Sequence, residues 1–248
     1  MRNKIKGLVI RETPKGESDK ILTLITDELG LINVKARGVR KISAAFIKSA
    51  QLFAFSEMLL YEKNGYYTMT EASMITDFYT IREDLGSYAL ACYVCEAAGA
   101  FTTPGETASE VLRLALNTLY AIENKSYPRD QIKAAFELRL CAVSGFAPDL
   151  EDCPECGGPI GEKGLIVFDE ALGYPVCSGC SSGGTPIPSS VMLAMKHIVG
   201  SESGKFMSFR LDGNGLETLA EFAEKYLLRC AEKSFPTLKF YKQCEELA

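Results

Sequence analysis

Two cysteine pairs, Cys153-Pro-Glu-Cys156 and Cys177-Ser-Gly-Cys180, constrain this chain more than any other feature. Gly157 to Val176 separate them, so the spacing is C-x2-C-x20-C-x2-C. Two intervening residues let both sulfurs of a pair face one centre. Gly157, Gly158 and Gly179 permit the tight turns that aim backbone amides at the thiolates. Four thiolates about 2.3 Å from Zn²⁺ close a tetrahedron. The alternative, four unrelated thiols, does not account for the spacing. Leu165-Ile-Val-Phe168 and Tyr174-Pro-Val176 supply the two arms of a small zinc-ribbon hairpin. A site closed by four thiolates keeps no open position for substrate. One structural Zn²⁺ per chain is therefore expected, stapling a loop that lacks core of its own.

The compartment supports the same reading. Met1 to Arg11 contains only Leu8-Val9-Ile10 as an apolar run, which is no secretory core. The longest apolar stretch, Tyr88 to Phe101, is broken by Glu96 and falls short of the roughly 18 residues of a spanning helix. A cytoplasmic, reducing location is expected, where paired cysteines read as metal ligands rather than disulfides. Of the 248 residues nine are cysteine, one is histidine (His197) and none is tryptophan. A single histidine excludes His-rich metal catalysis and makes a Ser–His triad an unfavourable reading. There is no P-loop, G-x-G-x-x-G, G-x-S-x-G or convergent carboxylate pair, so no enzyme is expected.

Charge divides the chain. Residues 1–80 carry 12 basic and 9 acidic side chains, a net of +3, and the remainder carries −8. Leu29 to Ser56 holds five cations (Lys35, Arg37, Arg40, Lys41 and Lys48) and no acid. Such a local field binds polyanions even in an acidic molecule, although a plain solvated surface fits the same pattern. The ribbon differs: between Glu151 and Ser181 one lysine, Lys163, faces six acids, which argues against phosphate contact there.

Residues 1–76 read as β, within an expected N-terminal domain of residues 1–80. Lys6–Arg11 and Lys20–Thr26 are rich in branched residues, and Thr13-Pro-Lys-Gly16 and Asp27-Glu-Leu-Gly30 are turns. From Leu31, Ile32, Val34 and Ala36 alternate with Asn33, Lys35 and Arg37, which puts both cations on the solvent face. Leu52 to Tyr61 and Tyr66 to Thr70 flank Asn64-Gly65, a strong hairpin signal. Five short strands favour a closed barrel, which removes sheet edges. Alternation places Phe53 and Phe55 together on the core face and leaves Phe46 as a weak stacking candidate.

Residues 81–248 read as helical, with a zinc-binding insertion at 150–182. Helices are expected over Glu83–Thr102, from a capping box at Thr103-Pro-Gly-Glu106 through Ile122, over Arg129–Ser144, and from Asn214 with Leu216, Leu219, Ala220, Ala223, Tyr226 and Leu227 on one face. Ser178 to Ser190 reads as a loop. Cys92-Tyr-Val-Cys95 lies inside a helix among apolar residues, where buried packing is the simpler reading and a thiol-based redox enzyme the alternative. Cys141, Cys230 and Cys244 read as buried packing, and His197 as a helix-face residue.

Several stretches, in order, resemble the bacterial RecO family of recombination and repair proteins. They are Gly7-Leu-Val-Ile-Arg-Glu-Thr13 with Gly16-Glu-Ser-Asp-Lys20, Leu29-Gly30 leading to Ala36-Arg-Gly-Val-Arg-Lys41, Phe136-Glu-Leu-Arg-Leu140 with Gly145-Phe-Ala-Pro148, the four cysteines, and Ser234-Phe-Pro-Thr-Leu-Lys239. The resemblance implies an α+β multidomain protein: a five-stranded OB-fold β-barrel, then an α-helical domain with an inserted four-cysteine zinc ribbon. It implies no catalysis but binding of single- and double-stranded DNA, annealing of complementary strands, and, with RecR and RecF, loading of RecA onto DNA coated by single-strand-binding protein. The helical domain would take that protein's acidic C-terminal tail; Lys133 and Arg139 are weak candidates for it. Lys35, Arg37, Arg40 and Lys41 match the family's basic barrel surface. The loop after Lys41, Ile42-Ser-Ala-Ala-Phe-Ile47, is less basic than the family's and leaves Lys48 isolated. A zinc-ribbon adaptor that binds only proteins is the remaining alternative.

Overall fold

A computed structural model describes residues 2–41, 46–160, 166–169, 171–202 and 204–247. Ile42 to Ala45 of the weakly basic loop, and Glu162, Lys163, Leu165 and Glu170 of the ribbon, lie outside the described residues. Eight strands are described: β1 (Arg2–Lys15), β2 (Asp19–Thr26), β3 (Gly30–Ala36), β4 (Phe55–Lys63), β5 (Tyr66–Thr76), β6 (Ile166–Asp169), β7 (Tyr174–Cys177) and β8 (Gly184–Ile187). The described helices are α1 (Leu85–Ala100), α2 (Ser109–Glu123), α3 (Arg129–Val143), α4 (Ser189–Gly200), α5 (Gly213–Ala231) and α6 (Pro236–Glu246). They form two compact units, residues 1–124 with 235–248, and residues 125–234. The expected boundary at residue 80 keeps the barrel strands together, whereas the first compact unit also takes in α1, α2 and α6.

In the first unit, β1 to β5 close a barrel in the order β1-β2-β3-β5-β4, with β4 returning to β1. This is the OB-like arrangement anticipated from the strand pattern. The inward set of each strand makes the core: Val9 from β1, Leu22 and Leu24 from β2, Ile32, Val34 and Ala36 from β3, Met58 and Leu60 from β4, Met69 from β5. Each large apolar side chain taken fully out of water contributes about 1.5–3 kcal/mol. β3 and β5 pair in parallel over three residues, Val34↔Tyr67, Lys35↔Thr68 and Ala36↔Met69, and this short seam completes the closure. The outward placement of Lys35 and Arg37 follows from the same alternation.

The aromatic assignments divide. Phe53 is buried, as expected, but it precedes β4 in a left-handed conformation (φ 68°) and packs edge-on against Tyr88 of α1. Phe55 begins β4 half-buried. Neither ring belongs to the barrel core. Phe46 packs partly buried against the barrel core, which removes it as a base-stacking platform.

The expected capping box does not cap. α2 begins at Ser109, and Ala108 before it offers no side-chain cap. Residues 103–108 bond instead to the β2–β3 turn: the Gly105 N–H donates to Leu29 O at 3.0 Å and the Ala108 N–H to Asp27 O at 2.9 Å. Gly30 makes this possible. Its φ is +60° and a Cβ there would stand 2.1 Å from Thr103 O. The helix stop-and-start signal was correct in type, and tertiary hydrogen bonds moved it. Glu96, the acid that interrupts the apolar run of α1, accepts the Thr237 N–H at 3.2 Å and the Thr237 hydroxyl, so it caps the start of α6.

The second unit is built on α3 and α5. α5 buries Leu219, Phe222, Ala223, Tyr226 and Leu227, the expected stripe with Phe222 added and Leu216 and Ala220 at its half-buried edges. β7-β6-β8 form a three-stranded antiparallel sheet. The anticipated hairpin is β6 with β7. The third strand, β8, lies where a loop was expected. Its composition hides it, because Gly184 (φ +156°) lets the backbone come so close to β6 that a Cβ would stand 2.0 Å from Phe168 O. No helix among the described residues is long and apolar enough to cross a membrane.

Candidate functional sites: a cationic barrel end and a four-thiolate centre

Two places in the molecule concentrate chemistry. The first is the end of the barrel where the β1–β2 turn meets the segment after β3. The Arg40 N–H donates to Ser18 O at 3.0 Å, and the Arg40 guanidinium to Gly16 O at 2.8 Å. The Gly38 N–H donates to Asp19 at 2.9 Å. These bonds fold residues 37–41 onto the β1–β2 turn. Arg37, Arg40 and Lys41 are exposed there, together with Lys15. Arg37, Lys41 and Lys15 make no ion pair among the described residues.

Lys35 is different. Although outward, it is half-buried and held by Asp19 at 2.9 Å. Asp19 is pulled down to about 2, first by the Gly38 N–H and then by the Lys35 ammonium. The solvent-facing cation at Lys35 is thus ion-paired: its partner lies 16 residues away in sequence, and the β2–β3 register (Lys20↔Ala36) brings it alongside. Lys48 is exposed on a 3-10 turn, Lys48–Ala50, away from regular strand structure. Lys15 was missed by the charge window because an acidic turn, with Glu17 and Asp19, stands between it and Lys35. The turn signal Thr13-Pro-Lys-Gly16 was the clue, since it folds Lys15 back opposite Asp19, the partner of Lys35.

The second place is the four-cysteine group. The Cys153, Cys156, Cys177 and Cys180 sulfurs all lie within 4.8 Å of one another, and Cys156 Sγ is 3.8 Å from Cys177 Sγ. A tetrahedron with metal–sulfur bonds of about 2.3 Å has edges of about 3.8 Å, so the sulfurs fit one ion. Each pair sits on a knuckle: the Gly157 N–H bonds Cys153 O at 2.8 Å, and the Cys180 N–H bonds Cys177 O at 3.0 Å. Burial opposes ionisation of Cys153, yet the N–H groups of Cys177, Cys156 and Glu155 aimed at its sulfur hold it down to about 6. Cys180 is pushed up to about 12 by protons shared with Cys177 and Cys156. The Cys153 thiolate is favoured and that of Cys180 opposed, and a bound cation would stabilise the thiolate form of a ligand such as Cys180.

Asp169 supports this centre from behind. It is one of the six acids between Glu151 and Ser181, and it is fully buried. One oxygen accepts the N–H groups of Ala171 and Leu172 at 3.0 Å, and the other accepts the Ser182 N–H at 2.7 Å and the hydroxyls of Ser181 and Ser182. That fixes the chain leaving Cys180.

Other candidates resolve into structure. Burial pushes the Cys92 thiol up to about 11 and the Cys95 thiol well above its ordinary value. Neither is the low-pKa thiol that redox chemistry requires. Lys133 is buried between Glu137 and Glu224, and Arg139 donates to the Val199 and Ile198 carbonyls. Neither is available to an acidic tail. His197 on α4 bonds Lys205 O at 2.9 Å, which makes it a local tie.

Known proteins align with this arrangement over nearly the full chain. Residues 1–78 match the family model described as recombination protein O N terminal, and residues 82–239 match recombination protein O C terminal. The chain is 30% identical over 248 residues to a DNA repair protein RecO of Dehalococcoides mccartyi, covering 99% of this chain and 96% of that one. It is 29% identical over 247 residues to the DNA repair protein RecO of Acetivibrio thermocellus, covering 98% of each. A barrel of β1 to β5 over the first matched stretch, and helices with a four-cysteine centre over the second, place the chain in the RecO family of DNA repair proteins.

Proposed function

We propose that this protein is a non-catalytic recombination mediator that binds single- and double-stranded DNA through the barrel, anneals complementary strands and, with RecR and RecF, promotes RecA loading on DNA coated by single-strand-binding protein. The observation that carries the DNA reading is the group Arg37, Arg40 and Lys41, exposed at one barrel end beside Lys15. Cations on a strand end and its following turn track a phosphate backbone without reading sequence. The surrounding acids matter less than their count suggests, because Asp19 is occupied by Lys35 and Gly38. We place Lys35 in support of this surface, and Lys48 at its margin.

In the same reading the four cysteines hold one structural Zn²⁺: four soft thiolates at tetrahedral spacing select it, and no position is left for a reacting ligand. The ion would tie the two knuckles together and supply no step in annealing. A cytoplasmic location agrees with reduced thiolates at this centre.

The decisive experiment is fluorescence anisotropy with a labelled oligonucleotide, comparing wild type with Arg37→Glu/Arg40→Glu/Lys41→Glu. Lys35 is left unchanged because reversing it would set two carboxylates against each other. The variant is expected to lose most of its affinity and to show a shallower salt dependence, by about 0.7 in the log–log slope for each phosphate contact removed from a single strand. Unchanged binding would falsify the DNA reading and favour an adaptor that contacts proteins alone.

A further inference from the structure

The outer face of the β4–β5 hairpin carries two exposed tyrosines that the phosphate-binding group does not use. Tyr66 is 80% exposed and Tyr61 44% exposed. They are not isolated surface residues. In the β4–β5 register Tyr61 stands opposite Thr68, and Lys63 opposite Tyr66. Directly paired residues share a face, so Tyr61, Lys63, Tyr66 and Thr68 form one outward patch, while Leu60 and Met69 point into the core. Tyr61 and Tyr66 are diagonal neighbours across the strand pair, a separation of about 7–8 Å between their backbones. The parallel seam continues the row, because Lys35 of β3 stands opposite Thr68. The aromatic patch therefore adjoins the strand that leads to Arg37, Arg40 and Lys41.

An aromatic pair left in water, flanked by the exposed Lys63 and continuous with a cationic strand end, complements one kind of occupant: a polyanion with unstacked π-faces. A duplex keeps its bases paired inside and offers the patch only phosphates. A single strand offers both, and its bases can lie on the two rings while its backbone follows the lysines and arginines. We propose that Tyr61 and Tyr66 stack successive unpaired bases of single-stranded DNA, and so give the barrel a preference for single strands over duplex that its cations alone cannot supply. The inference rests on the DNA-binding reading above and adds to it the residues that sense unpaired bases.

The test uses the full-length protein and three labelled probes: oligothymidylate, an abasic strand of the same length, and a duplex. Tyr61→Ala/Tyr66→Ala is expected to weaken binding of oligothymidylate by about tenfold or more, the effect of losing a base-stacking contact, and to leave abasic-strand and duplex binding unchanged. Tyr61→Phe/Tyr66→Phe, which keeps the rings, is expected to restore the preference. A second readout is independent of any loss of fold: the chain has no tryptophan, so Tyr66→Trp introduces a single tryptophan that can be excited apart from the tyrosines. Its fluorescence is expected to be quenched by oligothymidylate and not by the abasic strand. If the alanine variant binds oligothymidylate as wild type does, or the tryptophan is unmoved by bases, the stacking inference is overturned while DNA binding stands. If wild type binds none of the probes, the DNA reading itself falls and the inference with it.

Discussion

Asp19 grips Lys35 with one oxygen at 2.9 Å and the Gly38 N–H with the other at 2.9 Å. One carboxylate thus joins β2 to β3 and shapes the turn that presents Arg37 and Arg40. It does so while pairing one of the four cations that the family resemblance had matched to a basic barrel surface.

The pH dependence follows from the direction of the Asp19 shift. Its carboxyl titrates near 2, below the ordinary 3.8, because Gly38 and Lys35 favour the charged form. The stabilisation it provides is complete above the unfolded value and is lost as pH falls from about 4 through about 2. An NMR titration of the Asp19 side chain should give the low midpoint, and Asp19→Asn should abolish that part of the acid transition. Lys35→Glu should lower the melting temperature of the barrel, whereas Arg37→Glu, at an unpaired exposed site, should not.

Chelation addresses the four-thiolate centre. One equivalent of zinc per chain is expected by mass spectrometry of the purified protein. Cys153→Ser should abolish it and open residues 150–187 to proteolysis, with the barrel unaffected. Asp169→Ala should lower metal affinity by about tenfold, since the buried carboxylate orients Ser181 and Ser182 next to Cys180. A metal-free but folded and reduced sample would contradict the assignment.

Alkylation discriminates the remaining thiol chemistry. With Cys92 near 11, about one molecule in ten thousand carries its thiolate at neutral pH. Iodoacetamide should modify Cys92 far more slowly than a free cysteine in an unfolded peptide, and Cys95 more slowly still. Rapid, selective labelling of either would revive a redox role.

The barrel was legible because period-two alternation is a local signal, and Ile32, Val34 and Ala36 against Asn33 and Lys35 carry it without ambiguity. The four-cysteine group was legible because its spacing is itself the geometry. What the sequence hid was set by contacts between distant residues. Lys35 alternates outward as expected, but its partner Asp19 is apparent only from strand register. Thr103 to Glu106 has every feature of a helix start and is drawn instead to the β2–β3 turn, past a glycine that allows close approach. β8 was masked by the Ser and Gly content that lets it pack on β6. Tyr61 and Tyr66 were read as strand residues, and their shared exposed face emerges only when β4 and β5 are paired.

Lys133 offers the sharpest stability test in the second unit. Its ammonium lies 2.9 Å from Glu137 and 2.8 Å from Glu224, and its side chain is 5% exposed while that of Glu137 is fully enclosed. Burial works against the lysine's charge, and the two carboxylates more than offset it, so its pKa is raised above 10.5. The pairing is therefore fully present at neutral pH and is lost only as pH climbs past the ordinary lysine range. Lys133→Met removes the ammonium that bridges Glu137 and Glu224 between α3 and α5. The expected cost is about 3–5 kcal/mol, read from urea unfolding. Lys133→Met combined with Glu137→Leu and Glu224→Gln also removes the two carboxylates that the ammonium bridged and should recover most of that loss. If the single variant is as stable as wild type, the buried triad does not hold α3 to α5.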